Sequence, residues 1–386
     1  MSGRVIVVGS VNIDLVARVP HLPHPGETVT GGSYERHHGG KGGNQAVAAA
    51  RLRRPTLFIG AVGDDTFEKE ARRALASERV DVSMVASLHG QPTGVALILV
   101  DASGENEIAV VPGANGAIEA GYVRDCLARL GPLHGDVMLV CNEVPLHVVR
   151  EALMCGTAAG ATTILNPAPA IGIDRSIFGL ADIVTPNRNE LATLLQTEAG
   201  RTGRRVDTST DAAVRARILL EPGPDGPGVR KAVIVTLGAA GVVVLERAGS
   251  GLSTRAGRLA GGDLDGEVSV PDPAGLAAAG PAPGSGPTAL RAPAAATTGS
   301  RTSAGRRSDL HVWEVPADLV ATVDSTGAGD AFCGALAAAL AEARPLSEAV
   351  KRAVAGSALA TTHVGAREGM PTRAELEAFL SAREVV

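Results

Sequence analysis

The residues Asp324-Ser325-Thr326-Gly327-Ala328-Gly329-Asp330 lead straight into the apolar run Ala331-Phe332-Cys333-Gly334-Ala335-Leu336. A helix that starts at such glycines presents free backbone N–H groups, and the partial positive charge at its N-terminus favours an anion. A carboxylate beside that anion would be repelled unless it served a purpose, and the obvious one is to take a proton from a hydroxyl attacking phosphorus. The motif thus points to phosphoryl transfer onto an alcohol, with Asp330 as general base and the amides of Gly327, Ala328 and Gly329 stabilising the migrating charge. Taken alone, the motif has a plainer reading as a glycine turn with an aspartate cap.

A second glycine cluster, Gly39-Gly40-Lys41-Gly42-Gly43-Asn44-Gln45-Ala46, precedes a helical pattern over Gln45–Arg53. Its lysine is followed by Gly42 and not by Ser or Thr, which disfavours a Walker-type phosphate loop. Glycines packed around a lysine and an amide imply close backbone approach to something polar. The run Gly9-Ser10-Val11-Asn12-Ile13-Asp14 places an amide and a carboxylate two residues apart at the end of the first strand pattern, a pairing suited to vicinal sugar hydroxyls. Glu143, in Cys141-Asn142-Glu143-Val144-Pro145, stands just past another strand pattern. Asn187 and Glu190 keep the spacing of a helix-capping pair.

The elements that must position these residues are legible as alternation. Apolar strand-like runs recur at Val5–Gly9, Leu57–Val62, Val137–Cys141, Thr163–Leu165, Ile183–Thr185 and Val233–Leu237, mostly separated by helical patterns such as Val144–Ala159. This predicts an α/β fold with a mostly parallel sheet covered on both faces. Val95–Val100 and Glu107–Val111 read as a hairpin that, with the segment around Thr28–Tyr34, forms a small separate sheet, a lid over about residues 12–40 and 92–113. From about residue 248 to 309 the composition collapses to Gly, Ala, Pro, Ser, Thr and Arg, predicting a disordered insertion between the strand patterns Gly241–Glu246 and His311–Val315 within a single domain.

The bulk properties exclude other classes. A chain of 386 residues with net charge −5 has no basic run to attract nucleic acid. The start of the chain lacks a signal-peptide pattern and no apolar run reaches spanning length, so a soluble cytoplasmic protein without membrane partners is expected. Cys126, Cys141, Cys155 and Cys333 show no CxxC spacing and read as small core residues.

Taken in order, the Gly9–Asp14 run, Pro25-Gly26-Glu27-Thr28, the Gly39–Ala46 loop, Thr93-Gly94-Val95-Ala96, Pro112-Gly113-Ala114-Asn115, Asn166-Pro167-Ala168-Pro169, Thr185-Pro186-Asn187, Thr236-Leu237-Gly238 and Asp324–Asp330 resemble the PfkB-type carbohydrate kinase family over nearly the whole chain outside the insertion. The resemblance implies a three-layer α/β/α fold with a β lid and transfer of the γ-phosphoryl group of ATP to O5 of D-ribose. It implies that Asn12, Asp14, Gly40, Lys41, Gly42, Gly43, Asn44, Glu143 and Asp330 surround the sugar. It places Asn187, Glu190, Thr236, Leu237, Gly238, Ala239, Ala240, Gly241, Gly329 and Asp330 along the nucleotide, with Val354 near the adenine. It also implies Mg2+, an activating K+ at Asp324, Thr326, Ala360, His363, Gly365 and Gly369, held mainly by backbone carbonyls, and a homodimer paired through the lid. A related kinase for fructose or adenosine, and a non-catalytic sugar-binding regulator, remain the alternatives.

Overall fold

The computed structural model describes residues 3–202, 211–223, 226–252 and 309–383. The chain runs through β1 (Val5–Val8), β2 (Asn12–Arg18), β3 (Ser33–Gly39), β4 (Thr56–Gly63), β5 (Val80–Leu88), β6 (Gly94–Val100), β7 (Asn106–Val111), β8 (Val137–Cys141), β9 (Thr162–Asn166), β10 (Ile183–Val184), β11 (Ala232–Thr236), β12 (Val242–Arg247) and β13 (Leu310–Val315). A 9-stranded sheet has the order β13-β12-β11-β10-β9-β8-β1-β4-β5. It is parallel except where β12 runs against both β11 and β13.

Because both faces are covered, the strands are continuously apolar, and successive residues feed opposite cores. Val5 and Val7 join a core with the helices Lys41–Arg51, Ala328–Ala341 and Leu346–Ala360. Ile6 and Val8 join the other, with the helices Ala120–Leu130, Leu146–Ala158 and Ala212–Leu220. This is the three-layer α/β/α architecture expected. Among the described residues no helix is long and apolar enough to cross a membrane. Cys126, Cys141 and Cys333 are buried and all four cysteines are free; burial pushes the thiols of Cys141 and Cys333 up to about 11 and about 12.

The small sheet exists, with order β3-β2-β6-β7. Its third segment differs from expectation: the strand is Ser33–Gly39, while residues 28–32 form none. Asn12 and Asp14 also do not end the first strand. The chain bends after Val8 and begins β2 at Asn12, pairing with β3 and β6 in the second sheet. The bend is possible because residue 9 lacks a side chain; a Cβ there would lie 2.4 Å from Cys141 Sγ and 3.0 Å from Gly42 Cα. The expected insertion falls almost wholly outside the described residues, and the strands flanking it pair directly from Val242↔Val315 to Arg247↔Leu310.

Candidate active site

From β1 the chain proceeds to β4 on one side of the sheet, whereas β8 and its successors build the other side, so the strand order reverses between β1 and β8. The crevice beyond the carboxyl ends at such a reversal is where open α/β sheets take ligands. Ser10, just past β1, and Glu143, just past β8, meet there: the Ser10 hydroxyl donates to Glu143 Oε2 at 2.6 Å. The Lys41 N–H donates to the same oxygen at 3.0 Å.

Lys41 opens the helix Lys41–Arg51, four residues earlier than the sequence pattern of Gln45–Arg53 suggests. The close approach implied by its glycines is met by the protein itself. A Cβ on Gly42 would lie 2.7 Å from Ser10 N, and one on Gly40, whose φ is +84°, 2.7 Å from Val11 Cα. The first turn of this helix is therefore pressed onto the β1–β2 bend. Across from it, the helix Ala328–Ala341 packs so closely that a Cβ on Gly334 would meet Ala48 Cβ at 2.5 Å. That contact of small residues brings the two glycine motifs together.

Asp330, in the first turn of the helix Ala328–Ala341, is buried. Asn44 Nδ2 donates to its Oδ2 and Gln45 Nε2 to its Oδ1, both at 3.0 Å. Gln45 Nε2 also reaches Asn166 Oδ1 at 3.0 Å, and Asn166 Nδ2 in turn donates to the Thr185 carbonyl at 3.1 Å. Burial holds the Asp330 carboxyl above its usual range, against the pull of Lys41 and the two amides. Lys41 is held above its ordinary value chiefly by Asp330, with Glu143 and Glu190 contributing. A base of raised affinity for protons, fixed by two donors and facing an ammonium group, is suited to accept a hydroxyl proton. The Ala328 N–H is taken by the Ser325 carbonyl at 3.2 Å; the first-turn donors of Gly329 and Asp330 have no backbone acceptor among the described residues.

On β2, Asp14 Oδ1 is a buried oxygen without a partner among the described residues, and burial raises the Asp14 carboxyl to about 6 against the opposing charge of Arg367. Asn12 Oδ1 accepts from Asn115 Nδ2 at 2.8 Å, which orients its own amide donors. Asn115 also clamps the bend, bonding the Val11 N–H and carbonyl at 3.0 Å each. Asn12, Asp14, Lys41, Asn44, Glu143 and Asp330 thus converge on one crevice.

The residues expected along a nucleotide lie at the adjoining strand ends. Asn187 bridges to Thr236. Asn187 and Glu190 form a reciprocal cap, the Asn187 N–H reaching Glu190 Oε2 at 2.7 Å and the Glu190 N–H reaching Asn187 Oδ1 at 2.8 Å. Burial raises the Glu190 carboxyl, the Asn187 N–H opposing. Gly238–Ala240 is an exposed turn between β11 and β12, closed by Gly241. Val354 is different: it packs in the core at 5% exposure.

At the expected K+ positions, Asp324 braces the loops, accepting the Thr326 N–H through Oδ1 and the Gly365 N–H through Oδ2, each at 2.9 Å. Burial would raise this carboxyl, but those N–H bonds hold it below its ordinary value. A Cβ on Gly369 would lie 2.3 Å from the Ala360 carbonyl oxygen and 3.3 Å from that of Gly365, so two of the expected carbonyls face one small space. His363 is exposed and its Nδ1 pairs with the Thr362 hydroxyl at 3.0 Å. Among the described residues no cluster of three His, Cys, Asp or Glu side chains could hold a metal alone.

Sequence reasoning missed Ser10, Gln45, Asn115, Asn166 and Arg367 as contributors. Gln45, Asn115 and Asn166 lie in recognised motifs, which were the available signals; Arg367, whose Nε donates to Asn44 Oδ1 at 3.0 Å, lies between Gly365 and Gly369 of the expected K+ loop, with no signal that it reaches the sugar loop.

A glycine-opened helix with a buried carboxylate, facing a polyol-type crevice at the sheet's reversal, defines a sugar-kinase type of site. The chain matches the pfkB family carbohydrate kinase model over residues 2–256 and 295–373, and it belongs to that family. It is 30% identical to a ribokinase of Haemophilus influenzae over 380 residues, covering 98% of this chain and 99% of that protein. The structure matches that of ribokinase from Thermotoga maritima with a TM-score of 0.72 and 28% identity, covering 98% and 99% of the two chains. It matches ribokinase from Cryptococcus neoformans var. grubii, solved in complex with ADP, with a TM-score of 0.68 and 25% identity, covering 99% and 100%. The protein is accordingly a carbohydrate kinase, a phosphotransferase with an alcohol acceptor.

Proposed function

We propose that this kinase transfers the γ-phosphoryl group of ATP to O5 of D-ribose, giving D-ribose 5-phosphate and ADP. The observation that carries the reading is the placement of Asp330 at a helix N-terminus, held by Asn44 and Gln45 and opposite Lys41. In this account Asp14 and Asn12 accept and donate to vicinal sugar hydroxyls, while Lys41 and Asn44 bound the reacting end. Asp330 takes the O5 proton as O5 bonds to the γ-phosphorus. The bond from that phosphorus to the bridging oxygen breaks, its electrons leave on ADP, and the N–H groups of Gly327 and Gly329 stabilise the charge in transit. Full-length similarity to ribokinases, at 30%, 30% and 29% identity, supports ribose over fructose or adenosine.

Mg2+ would supply charge neutralisation during the transfer, with Asn187 and the carboxylate of Glu190 as the residues that would support it. For K+, the carbonyls facing the space beside Gly369 and the carboxylate of Asp324 are the hard oxygen donors such an ion requires. The β2–β3 and β6–β7 segments act as a lid that excludes water. We read the protein as a cytoplasmic homodimer paired through this sheet. The support is an apolar face, opposite the one that carries Asp14, on which Tyr34, Leu97 and Val111 are exposed at 61%, 48% and 46%.

ADP release measured over a panel of ribose, deoxyribose, fructose, fructose 6-phosphate and adenosine tests the reading. Highest kcat/KM with ribose is expected. Preference for another acceptor overturns the substrate, and ribose binding without ADP formation would favour the regulator.

A further inference from the structure

Arg367 is 5% exposed, and its guanidinium lies beneath the sugar loop. Nη2 donates to the Gly39 carbonyl at 2.7 Å and Nε to Asn44 Oδ1 at 3.0 Å. Nη1 has no partner among the described residues. Residue 43 is glycine to make room for it, since a Cβ there would lie 2.4 Å from Arg367 Nη2. The Arg367 carbonyl is itself gripped by Arg51 Nη1 at 2.8 Å, and Arg51 is anchored by a two-pronged pair with Glu78 at 2.9 and 2.6 Å. Gly365, two residues earlier in the same loop, gives its N–H to Asp324.

A guanidinium can only donate, and an ionised carboxylate can only accept. Asn44 stands between the two, so its amide has one satisfactory orientation: Oδ1 toward Arg367 and Nδ2 toward Asp330. With Arg367 removed, Asn44 Oδ1 loses its donor and the amide is held at one end only, by the Nδ2 bond to Asp330, about which it can tilt away. Burying a guanidinium with one nitrogen unpaired is costly, and an apolar side chain of similar volume would serve packing as well or better. Its presence therefore calls for a reason outside packing.

We propose that Arg367 is a positioning residue of the phosphoryl transfer: through Asn44 and the Gly39 carbonyl it sets the donor geometry around Asp330 and the acceptor loop. The inference rests on the kinase reading above, and it links the Asp324–Gly365 region to the reacting end of the crevice through a single side chain.

The test compares wild type, Arg367→Met, Arg367→Gln, Asn44→Ala and the Met/Ala double variant, each with the best acceptor of the panel. Arg367→Met leaves the buried Gly39 carbonyl and Asn44 Oδ1 without their donor and should melt somewhat lower while staying folded at the assay temperature, lose about thirtyfold in kcat and keep KM for ATP within about twofold, the split expected of misplaced reacting groups. Arg367→Gln, which can still donate to Asn44, should recover part of the rate. Because Arg367 acts largely through Asn44, the double variant should fall no more than about threefold below Asn44→Ala alone. A crystal structure of Arg367→Met should show Asn44 Nδ2 moved off Asp330. Unchanged kcat, multiplying effects in the double variant, or an Asn44–Asp330 bond still at 3.0 Å would each overturn the proposal. Failure of the ribose assignment is read separately, from wild-type rates alone, and leaves the structural readout in force.

Discussion

Replacing Asp14 by Asn should stabilise the protein at neutral pH while weakening its use of sugar. Burial is the main cause that raises this carboxyl from 3.8 to about 6, and the rise is already net of the favourable charge of Arg367. A carboxyl whose affinity for protons is higher folded than unfolded makes folding less favourable wherever the folded form must ionise. Below pH 3.8 both states are protonated and nothing is lost; through the window up to about 6 the penalty grows, and above it the penalty is complete. The difference between 3.8 and about 6 corresponds to about 3 kcal/mol at roughly 1.4 kcal/mol per pH unit. Partial exposure of Asp14 and the polarity retained by Asn reduce the expected gain to about 1–2 kcal/mol. Urea unfolding at neutral pH and near pH 4 measures it: Asp14→Asn should be the more stable at neutral pH, with the gap closing on acidification. In parallel, wild-type kcat/KM for sugar should fall on acidification with an apparent pKa near 6, a limb the variant lacks. A variant less stable than wild type at neutral pH, or a gap that widens in acid, would refute the reasoning.

Gln45→Leu removes one of the two donors to Asp330 and leaves Asn166 Oδ1 without its partner. A fall of about tenfold in kcat and about 1–3 kcal/mol in stability is expected, read by steady-state kinetics and denaturant unfolding. Gly369→Ala would push a methyl group to within 2.3 Å of the Ala360 carbonyl oxygen. Stimulation by K+ should be lost in a titration of activity against KCl at constant ionic strength, and because the displaced backbone lies two residues from Arg367, the rate without K+ should fall modestly as well.

The layered sheet was legible because strands buried on both faces are uninterrupted apolar runs, and Val137–Cys141 was placed to the residue. The β1–β2 bend was not. The sequence pattern reads as one strand over Val5–Gly9 with Asn12 and Asp14 at its end, and only the packing of Gly9 against Cys141 and Gly42 reveals that the chain turns there into a second sheet. The helix Lys41–Arg51 begins earlier than its residues suggest because the contact of Gly42 with Ser10 outweighs the poor helix propensity of paired glycines. β5, Val80–Leu88, lies at the sheet edge with alternating burial and carries no strong apolar run. Of the site, Asp330, Lys41, Asn44, Asp14 and Glu143 were readable because glycines and strand ends flag them. Gln45 and Arg367 were not, since their roles depend on partners 285 and 323 residues away in the chain. Val354, carried over by resemblance, packs in the core against its helix neighbours.

The claim on which the rest depends is that Asp330 removes the proton from the acceptor hydroxyl. Pre-steady-state turnover of Asp330→Asn with saturating MgATP and ribose, alongside calorimetric ribose binding, tests it most directly. The account predicts a loss of about a thousandfold in the chemical step with the ribose dissociation constant changed by less than about threefold. A variant that turns over near the wild-type rate, or one that loses activity only because ribose no longer binds, would contradict it.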